Sequence, residues 1–236
     1  MWSVDIQAVI FDFDGLLMDT ESTSLAAWQY EWRQHGLELD VSTFFADHGG
    51  DLSQERCEQL ARAVGAGFSA AASCARRVAY REQLHADLGL SDGIESWLDD
   101  AAALGLRLAV ASSSPGDWVR GHLRRVGALS RFELLACGDE VARPKPDPAV
   151  YELALARLGV PAGRAIAVED SPHGVAAARA AGIRCVAIPN PHADPARFAA
   201  DVVLRSAADA RLGAVLRAAT SAPGYPSAAA GNQVPT

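Results

Sequence analysis

The chain has 236 residues, half of them hydrophobic, and its formal net charge is −8. This length suits one large domain or one domain with an insert, and the acidic balance argues against nonspecific nucleic-acid binding, which favours basic surfaces. No apolar run approaches the roughly 18 residues of a membrane span, and no leader pattern opens the chain. We therefore expect a cytoplasmic protein with neither nucleic-acid nor membrane partners.

The first predicted element is a buried strand that ends in two aspartates. The apolar run from Ala8 to Phe11 is typical of a parallel sheet, and Asp12 and Asp14 follow it, with Gly15 next. Side chains at i and i+2 of extended backbone point the same way, so the two carboxylates repel each other unless a cation lies between them or one is protonated. A helix N-cap followed by an ordinary turn is the alternative interpretation.

Residues 21–90 lack strand signals, and we predict that they form a separate helical domain inserted into the chain. In its first helix, Leu25, Trp28 and Trp32 form an apolar stripe. We expect the aromatic residues of the insert to pack in its own core. Two further helices are predicted, over residues 54–64 and 70–84.

Predicted strands and helices alternate from residue 91 to residue 218. The predicted strands span residues 106–111, 132–137, 165–168, 185–188 and 201–204. The predicted helices span residues 93–104, 117–126, 149–158, 175–181 and 207–218. This alternation indicates the α/β class, with a doubly wound, Rossmann-like parallel sheet in a core domain of residues 1–20 and 91–218. Residues 219–236 are rich in Ala, Pro, Gly and Ser without periodicity, and we expect a disordered tail.

A serine-rich turn follows the second predicted strand, where Ser112 and Ser113 precede a predicted helix. Backbone N–H groups that enter a helix can bind an anion. The alternative interpretation is a simple turn and helix start.

Lys145 is the single lysine among 21 basic residues. A compact ammonium and a planar guanidinium are not interchangeable, so this position suggests a role that arginine cannot fill. The prolines on either side restrict the backbone and limit where the side chain can go. Arg143 is an alternative, since it also precedes a Pro-x-Pro-Asp segment.

Glu169 and Asp170 are adjacent acids at the end of a predicted strand. Ser171 and Pro172, which follow them, are typical of a helix start. That local explanation does not require two acids at the strand end.

These four segments, in this order, resemble the four motifs of the haloacid dehalogenase-like (HAD) superfamily, in particular its helical-cap phosphatases and β-phosphoglucomutases. The resemblance covers about residues 5–217, and the insert, which would be the cap, is matched only in length and helical character. It implies a Mg²⁺ ion, which prefers oxygen ligands. The implied ligands are Asp12, the backbone carbonyl of Asp14, Asp170 and, directly or through water, Glu169.

The resemblance also implies a mechanism for phosphoryl transfer. Asp12 would attack phosphorus and form an aspartyl-phosphate, while Asp14 would act first as general acid and then as general base. Lys145, Ser112 and Ser113 would bind the phosphoryl group and offset its charge.

Other activities of the superfamily match this sequence less well. Haloacid dehalogenases do not use a second aspartate such as Asp14, and phosphonatases place a lysine in the cap, where this chain has none. Phosphoglucomutases carry a histidine twelve residues after the nucleophile, where this chain has Ser24. We therefore predict a Mg²⁺-dependent phosphatase of a small phosphorylated metabolite, active as a monomer or weak dimer. A sugar phosphomutase is the alternative, and a catalytically idle binding protein is a more remote one.

The residues of the insert that would select the substrate are harder to identify. Arg76, together with Arg77 and Arg81, either reaches an anionic substrate or forms a solvated helix face. The segment His48-Gly49-Gly50 is either a loop that approaches the site or a turn. The candidate substrate-binding residues are Glu21, His48, Gly49, Gly50 and Arg76.

Overall fold

A six-stranded, all-parallel sheet forms the centre of the computed structural model, which describes residues 6–44, 52–190 and 193–222. The strand order is β3-β2-β1-β4-β5-β6, so β1 lies near the middle. This confirms the predicted doubly wound α/β class. The strands are β1 (Ala8–Phe11), β2 (Arg107–Ala111), β3 (Leu134–Ala136), β4 (Ala165–Glu169), β5 (Arg184–Ala187) and β6 (Val202–Val203).

Helices cover both faces of the sheet and make up most of the described residues between β1 and β2. Within the described ranges, none of them is long and apolar enough to cross a lipid bilayer. The helices are α1 (Thr20–Gln34), α2 (Val41–Phe44), α3 (Ser53–Val64), α4 (Ala70–Ala86), α5 (Ile94–Ala103), α6 (Gly116–Arg125), α7 (Ala149–Leu158), α8 (Pro172–Ala180) and α9 (Leu212–Ser221).

The last helix differs from its prediction. Residues 207–209 form a separate 3₁₀ turn, and α9 continues to Ser221, beyond the expected start of the tail at residue 219. Ala219 is fully buried. Its spacing of three residues from Leu216 continues the apolar face of α9, a pattern that the Ala-rich composition of this segment hides.

The sheet is apolar on both faces because each face is covered by helices. Along β1, Val9 and Phe11 belong to one buried apolar cluster, while Ala8 and Ile10 belong to the cluster on the opposite face. Alternate side chains of a strand point to opposite faces. An uninterrupted apolar run is therefore what this central strand requires.

The helices between β1 and β2 have an apolar cluster of their own. Its buried residues are Leu25, Trp28, Trp32, Phe44 and Leu60. The expected packing of the tryptophans within the insert is thus confirmed. The insert leaves the sheet after β1, at the edge where Asp12 and Asp14 lie.

Replacement of Gly93 by alanine is expected to destabilise the fold more than the same change at Gly105. Both glycines have positive φ, at +83° and +68°, and this conformation costs an alanine about 1–2 kcal/mol. A Cβ at Gly93 would also lie 2.1 Å from the backbone nitrogen of Ala208, whereas nothing lies within 4 Å of one at Gly105. We expect a total loss of roughly 2–5 kcal/mol for Gly93→Ala.

Urea unfolding of the two variants and wild type measures this difference. Equal losses for the two alanines would show that the close approach of the chain segments at Gly93 does not persist in solution.

Candidate active site

A cleft of about 610 Å³ lies between the carboxyl ends of the central strands and the helical insert. Loops after β1, β2 and β4 form its floor, together with the segment before α7, while α1, α3 and α4 form its opposite wall. Carboxyl ends of parallel strands are the usual ligand-binding edge of an open α/β sheet. The four sequence segments identified above therefore meet in one place.

Three buried acids lie together at the floor of the cleft. One carboxylate oxygen from each of Asp12, Glu169 and Asp170 lies within 4.8 Å of those of the other two. The ammonium of Lys145 is 2.6 Å from Asp12 Oδ1 and 2.6 Å from Glu169 Oε1, and it also donates to the carbonyl of Ala111 at 2.8 Å. Lys145 is thus the central cation of this cluster.

Arg143, the alternative to Lys145, lies outside the cluster. Its guanidinium forms an ion pair with Asp147 at 2.7 Å, and its side chain is largely exposed. Of the two, Lys145 is the residue whose side chain contacts the acid cluster.

The acid cluster has more negative than positive charge. Burial raises the pKa of Asp12 to about 7, with Lys145 opposing this shift and Glu169 adding to it. Burial also raises the pKa of Asp170 well above its usual value, and the charges of Asp12 and Glu169 add to the effect. Burial opposes the charge on Lys145, but the carboxylates of Asp12 and Glu169 raise its pKa overall.

Two glycines provide the space that the acids occupy. A Cβ at Gly15, where φ is +78°, would lie 2.1 Å from Asp170 Oδ2. A Cβ at Gly174 would lie 1.9 Å from Glu169 Oε2. The remaining Glu169 oxygen accepts from the Tyr151 hydroxyl at 2.6 Å as well as from Lys145. The contact between Tyr151 and Glu169 was not predicted from the sequence.

The serine turn after β2 lines the same cleft. The Ser112 hydroxyl accepts from the backbone N–H of Ser114 at 3.0 Å, and the Ser113 hydroxyl accepts from the backbone N–H of Lys145 at 3.4 Å. Both predicted phosphate-binding serines therefore lie close to the acid cluster.

Asp14 lies in the cleft but has a different set of partners from Asp12. Its Oδ1 accepts from the Thr20 hydroxyl at 2.9 Å and from the Trp118 indole N–H at 3.0 Å. Its Oδ2 accepts from the Ser114 hydroxyl at 2.5 Å. Among the described residues, the Asp14 carboxylate is not a member of the acid cluster that could hold a metal ion, which leaves only its backbone carbonyl as a candidate ligand.

Two of the predicted substrate-binding residues of the insert lie in the described part of the chain; one lines the cleft and the other does not. Glu21 lines the cleft, and burial raises its pKa, with the Asp14 charge adding to the shift and Arg56 opposing it. Arg76 does not line the cleft, which corrects its predicted role. Its guanidinium donates to buried Glu31 at 2.9 and 2.6 Å, between α4 and α1.

The other candidates divide between the cleft and the rest of the insert. Arg77 stacks on Trp28, 3.7 Å from the ring centre, whereas Arg81 lines the cleft. The predicted His48, Gly49 and Gly50 lie outside the described residues. Cleft residues that sequence analysis did not assign to the site are Thr20, Arg56, His85, Ser114, Trp118 and His173.

His85 joins the insert to the core beside the cleft. Its Nε2 is 2.8 Å from the Thr23 hydroxyl, and its Nδ1 is 3.3 Å from Nε2 of His122 on α6. Burial lowers the pKa of His85 to about 4, with the charges of His122, Arg81 and Arg125 adding to the effect and that of Asp14 opposing it.

A doubly wound sheet with paired acids, a buried lysine and a serine turn at its ligand-binding edge defines an enzyme that acts on an anionic group. The chain belongs to the haloacid dehalogenase-like hydrolase family, whose model matches residues 9–188. The predicted family is therefore confirmed.

Individual relatives agree with this assignment over most of the chain. Protein CbbY of Rhodobacter capsulatus is 35% identical, covering 93% of this chain and 98% of its own length. Validoxylamine A 7′-phosphate phosphatase of Streptomyces hygroscopicus subsp. limoneus is 32% identical, covering 87% and 96%. The crystal structure of CbbY from Rhodobacter sphaeroides in complex with phosphate is 32% identical, with a TM-score of 0.68, covering 88% and 98%.

The contribution of His85 to folding stability is expected to fall as the pH is lowered from about 6.5 to about 4. The unfolded side chain binds a proton near pH 6.5, whereas the folded one stays neutral to about pH 4. At this residue the unfolded state therefore binds more protons in this window, and its contribution to the free energy of unfolding decreases with falling pH.

Urea unfolding across this pH range, for wild type and His85→Gln, measures the contribution. The glutamine does not titrate and can still donate to Thr23, so the free energy of unfolding of wild type should fall relative to that of the variant as the pH is lowered. A pH-independent difference between the two proteins would contradict the assignment.

Proposed function

We propose that this protein is a Mg²⁺-dependent phosphatase that hydrolyses a small phosphorylated metabolite through an aspartyl-phosphate intermediate. The supporting observation is that Asp12 and Asp14 occupy different environments in one cleft. Asp12 is buried against Lys145 at 2.6 Å, while Asp14 is held by hydroxyl and indole donors. Two carboxylates in different environments can take different chemical roles.

In the first step, an oxygen of Asp12 attacks phosphorus as the bond from phosphorus to the ester oxygen breaks. The leaving oxygen takes a proton from Asp14 and departs as an alcohol. The products of this step are an aspartyl-phosphate at Asp12 and an ionised Asp14.

In the second step, a water oxygen attacks the phosphorus of the aspartyl-phosphate. Asp14 takes a proton from that water, and the bond between phosphorus and the Asp12 oxygen breaks. Inorganic phosphate leaves, Asp12 is again a carboxylate, and Asp14 is again protonated for the next cycle.

Lys145 and the serine turn supply fixed positive charge and hydrogen-bond donors for both steps. The Lys145 ammonium is already placed against the Asp12 carboxylate, and Ser112 and Ser113 line the same part of the cleft. Preorganised charge of this kind is the main contribution that a protein makes to phosphoryl transfer.

The donor set of the acid cluster fits a divalent cation. Asp12, Glu169 and Asp170 offer three carboxyl groups around the one ammonium of Lys145, and carboxylate oxygens are the ligands that Mg²⁺ prefers. The raised pKa values of Asp12 and Asp170 show that their ionised forms are short of positive charge, which a cation would supply. Because Lys145 and Tyr151 already occupy one oxygen of Glu169, we assign the ion to Asp12, Asp170 and the Asp14 carbonyl. When bound, Mg²⁺ polarises the phosphoryl oxygens as a Lewis acid.

The helical insert is proposed to act as a cap that selects the substrate and limits access of water. Its Glu21, Arg56 and Arg81 side chains line the cleft. Among the relatives, one is named for validoxylamine A 7′-phosphate, and a CbbY variant was crystallised with xylulose-(1,5)-bisphosphate. We therefore favour a phosphorylated sugar or a sugar-like compound as substrate.

A phosphatase is favoured over a phosphomutase by Ser24. This residue lines the cleft at the position where the resemblance places a histidine in phosphoglucomutases. A hydroxyl group at this position lacks the acid–base capacity of an imidazole near neutral pH.

Phosphate release from a panel of phosphorylated metabolites with Mg²⁺ is the direct test. Asp12→Asn should reduce turnover at least a thousandfold, since it removes the nucleophile. Asp99→Asn is the matched control, because Asp99 pairs with Arg131 on the surface away from the cleft. Turnover that survives in Asp12→Asn would refute the mechanism, and a requirement for added sugar bisphosphate would favour the mutase.

Magnesium is expected to raise the melting temperature of wild type through the acid cluster. At 100 times its Kd the ion should add on the order of 5–10 °C, because it relieves the repulsion among buried acids. Asp170→Asn should lose this shift, and Asp99→Asn should keep it. An equal shift in Asp170→Asn would place the ion elsewhere. Thermal unfolding in the presence of Mg²⁺ and of a chelator provides the measurement.

A further inference from the structure

We propose that Trp118 is a positioning residue for Asp14, and that it determines which Asp14 oxygen carries the transferred proton. This inference rests on the proposed function, because it concerns the acid–base residue of that reaction. Trp118 lies on α6, outside the four sequence motifs, and lines the cleft.

The hydrogen bonds around Asp14 distinguish its two oxygens. Oδ1 accepts from Trp118 at 3.0 Å and from Thr20 at 2.9 Å, while Oδ2, among the residues that the structure describes, accepts from Ser114 alone, at 2.5 Å. An indole N–H can only donate, whereas a serine hydroxyl can donate or accept. A proton on Oδ1 would point at the indole N–H, which cannot accept a hydrogen bond from it. The proton therefore lies on Oδ2, where the Ser114 hydroxyl can rotate and accept that hydrogen bond.

Trp118 is itself held in place by two neighbouring imidazole rings, which also contact each other. Its ring lies against His122, with ring centres 4.1 Å apart, and its edge meets His85 of α4 at 5.4 Å. His122 Nδ1 contacts the Trp118 carbonyl at 3.0 Å. These contacts restrict rotation of the indole, so its N–H can hold the Asp14 carboxylate in one orientation.

The consequence is that the two half-reactions depend differently on Trp118. With an alkyl phosphate, both steps need a correctly oriented Asp14. With p-nitrophenyl phosphate, the leaving group departs without a proton, so only hydrolysis of the aspartyl-phosphate requires Asp14. Loss of the indole N–H should then slow the second step and leave the first nearly unchanged.

The test is rapid-mixing kinetics with p-nitrophenyl phosphate on wild type and Trp118→Phe, with Mg²⁺ present. The phenylalanine keeps an aromatic ring against His122 and removes the N–H. We expect roughly tenfold slower steady-state turnover, preceded by a burst of nitrophenol that approaches one equivalent per enzyme. Acid-quenched protein should show the added mass of a phosphoryl group.

A second variant tests whether the N–H, rather than the shape of the ring, is responsible. In Trp118→His, the imidazole Nε2 occupies the ring position of the indole Nε1, so this variant should recover turnover and lose the burst. Trp97→Phe is the matched control, because Trp97 donates its indole N–H to the Ala210 carbonyl at 2.8 Å, away from the cleft. It should behave like wild type.

The outcomes separate this inference from the function on which it rests. If wild type releases phosphate but Trp118→Phe shows wild-type turnover and no burst, the role of Trp118 is refuted and the phosphatase stands. If wild type hydrolyses no phosphate ester, both are refuted. If Trp118→Phe does not fold, Ser114→Ala is the alternative test. This variant removes the hydrogen-bond partner of Oδ2 and should slow hydrolysis of the aspartyl-phosphate in the same way. An unchanged second step in Ser114→Ala would refute the assignment.

Discussion

The ammonium of Lys145 is the charge on which the arrangement of the site depends. It contacts Asp12 and Glu169 at 2.6 Å each, and all three side chains are buried. Buried carboxylates this close repel each other strongly unless a cation lies between them. Because Asp12 follows β1, Glu169 ends β4 and Lys145 precedes α7, a single ammonium joins three separate parts of the chain at one edge of the sheet.

The sheet and the acid cluster could be predicted from sequence because their signals are local. Apolar runs of four to six residues reveal buried parallel strands, and parallel strands end at the same edge, so acids after β1 and β4 must approach each other. The single lysine in the sequence also indicated which residue supplies the cation of the acid cluster. A compact ammonium fits between Asp12 and Glu169, where the planar guanidinium of Arg143 would require a different geometry.

The other wall of the cleft could not be predicted, because it depends on how helices pack. Arg76 and Arg81 are five positions apart on α4, which places them about 140° apart around the helix axis. Arg76 therefore pairs with buried Glu31 while Arg81 lines the cleft. The sequence does not indicate which of these two faces of α4 meets the cleft. The contact of Trp118 with Asp14 likewise joins residues 104 positions apart, and no local sequence pattern indicates it.

The packing of α1 on α4 has a mechanical consequence. The ion pair between Arg76 and buried Glu31 joins the two helices, and the rings of Tyr30 and Tyr80 stack between them with centres 4.3 Å apart, so we expect the two helices to move as one rigid body. The first residue of that body is Thr20, whose hydroxyl holds Asp14. A rotation of these two helices would therefore displace the Thr20 hydroxyl and, through its hydrogen bond, the Asp14 carboxylate.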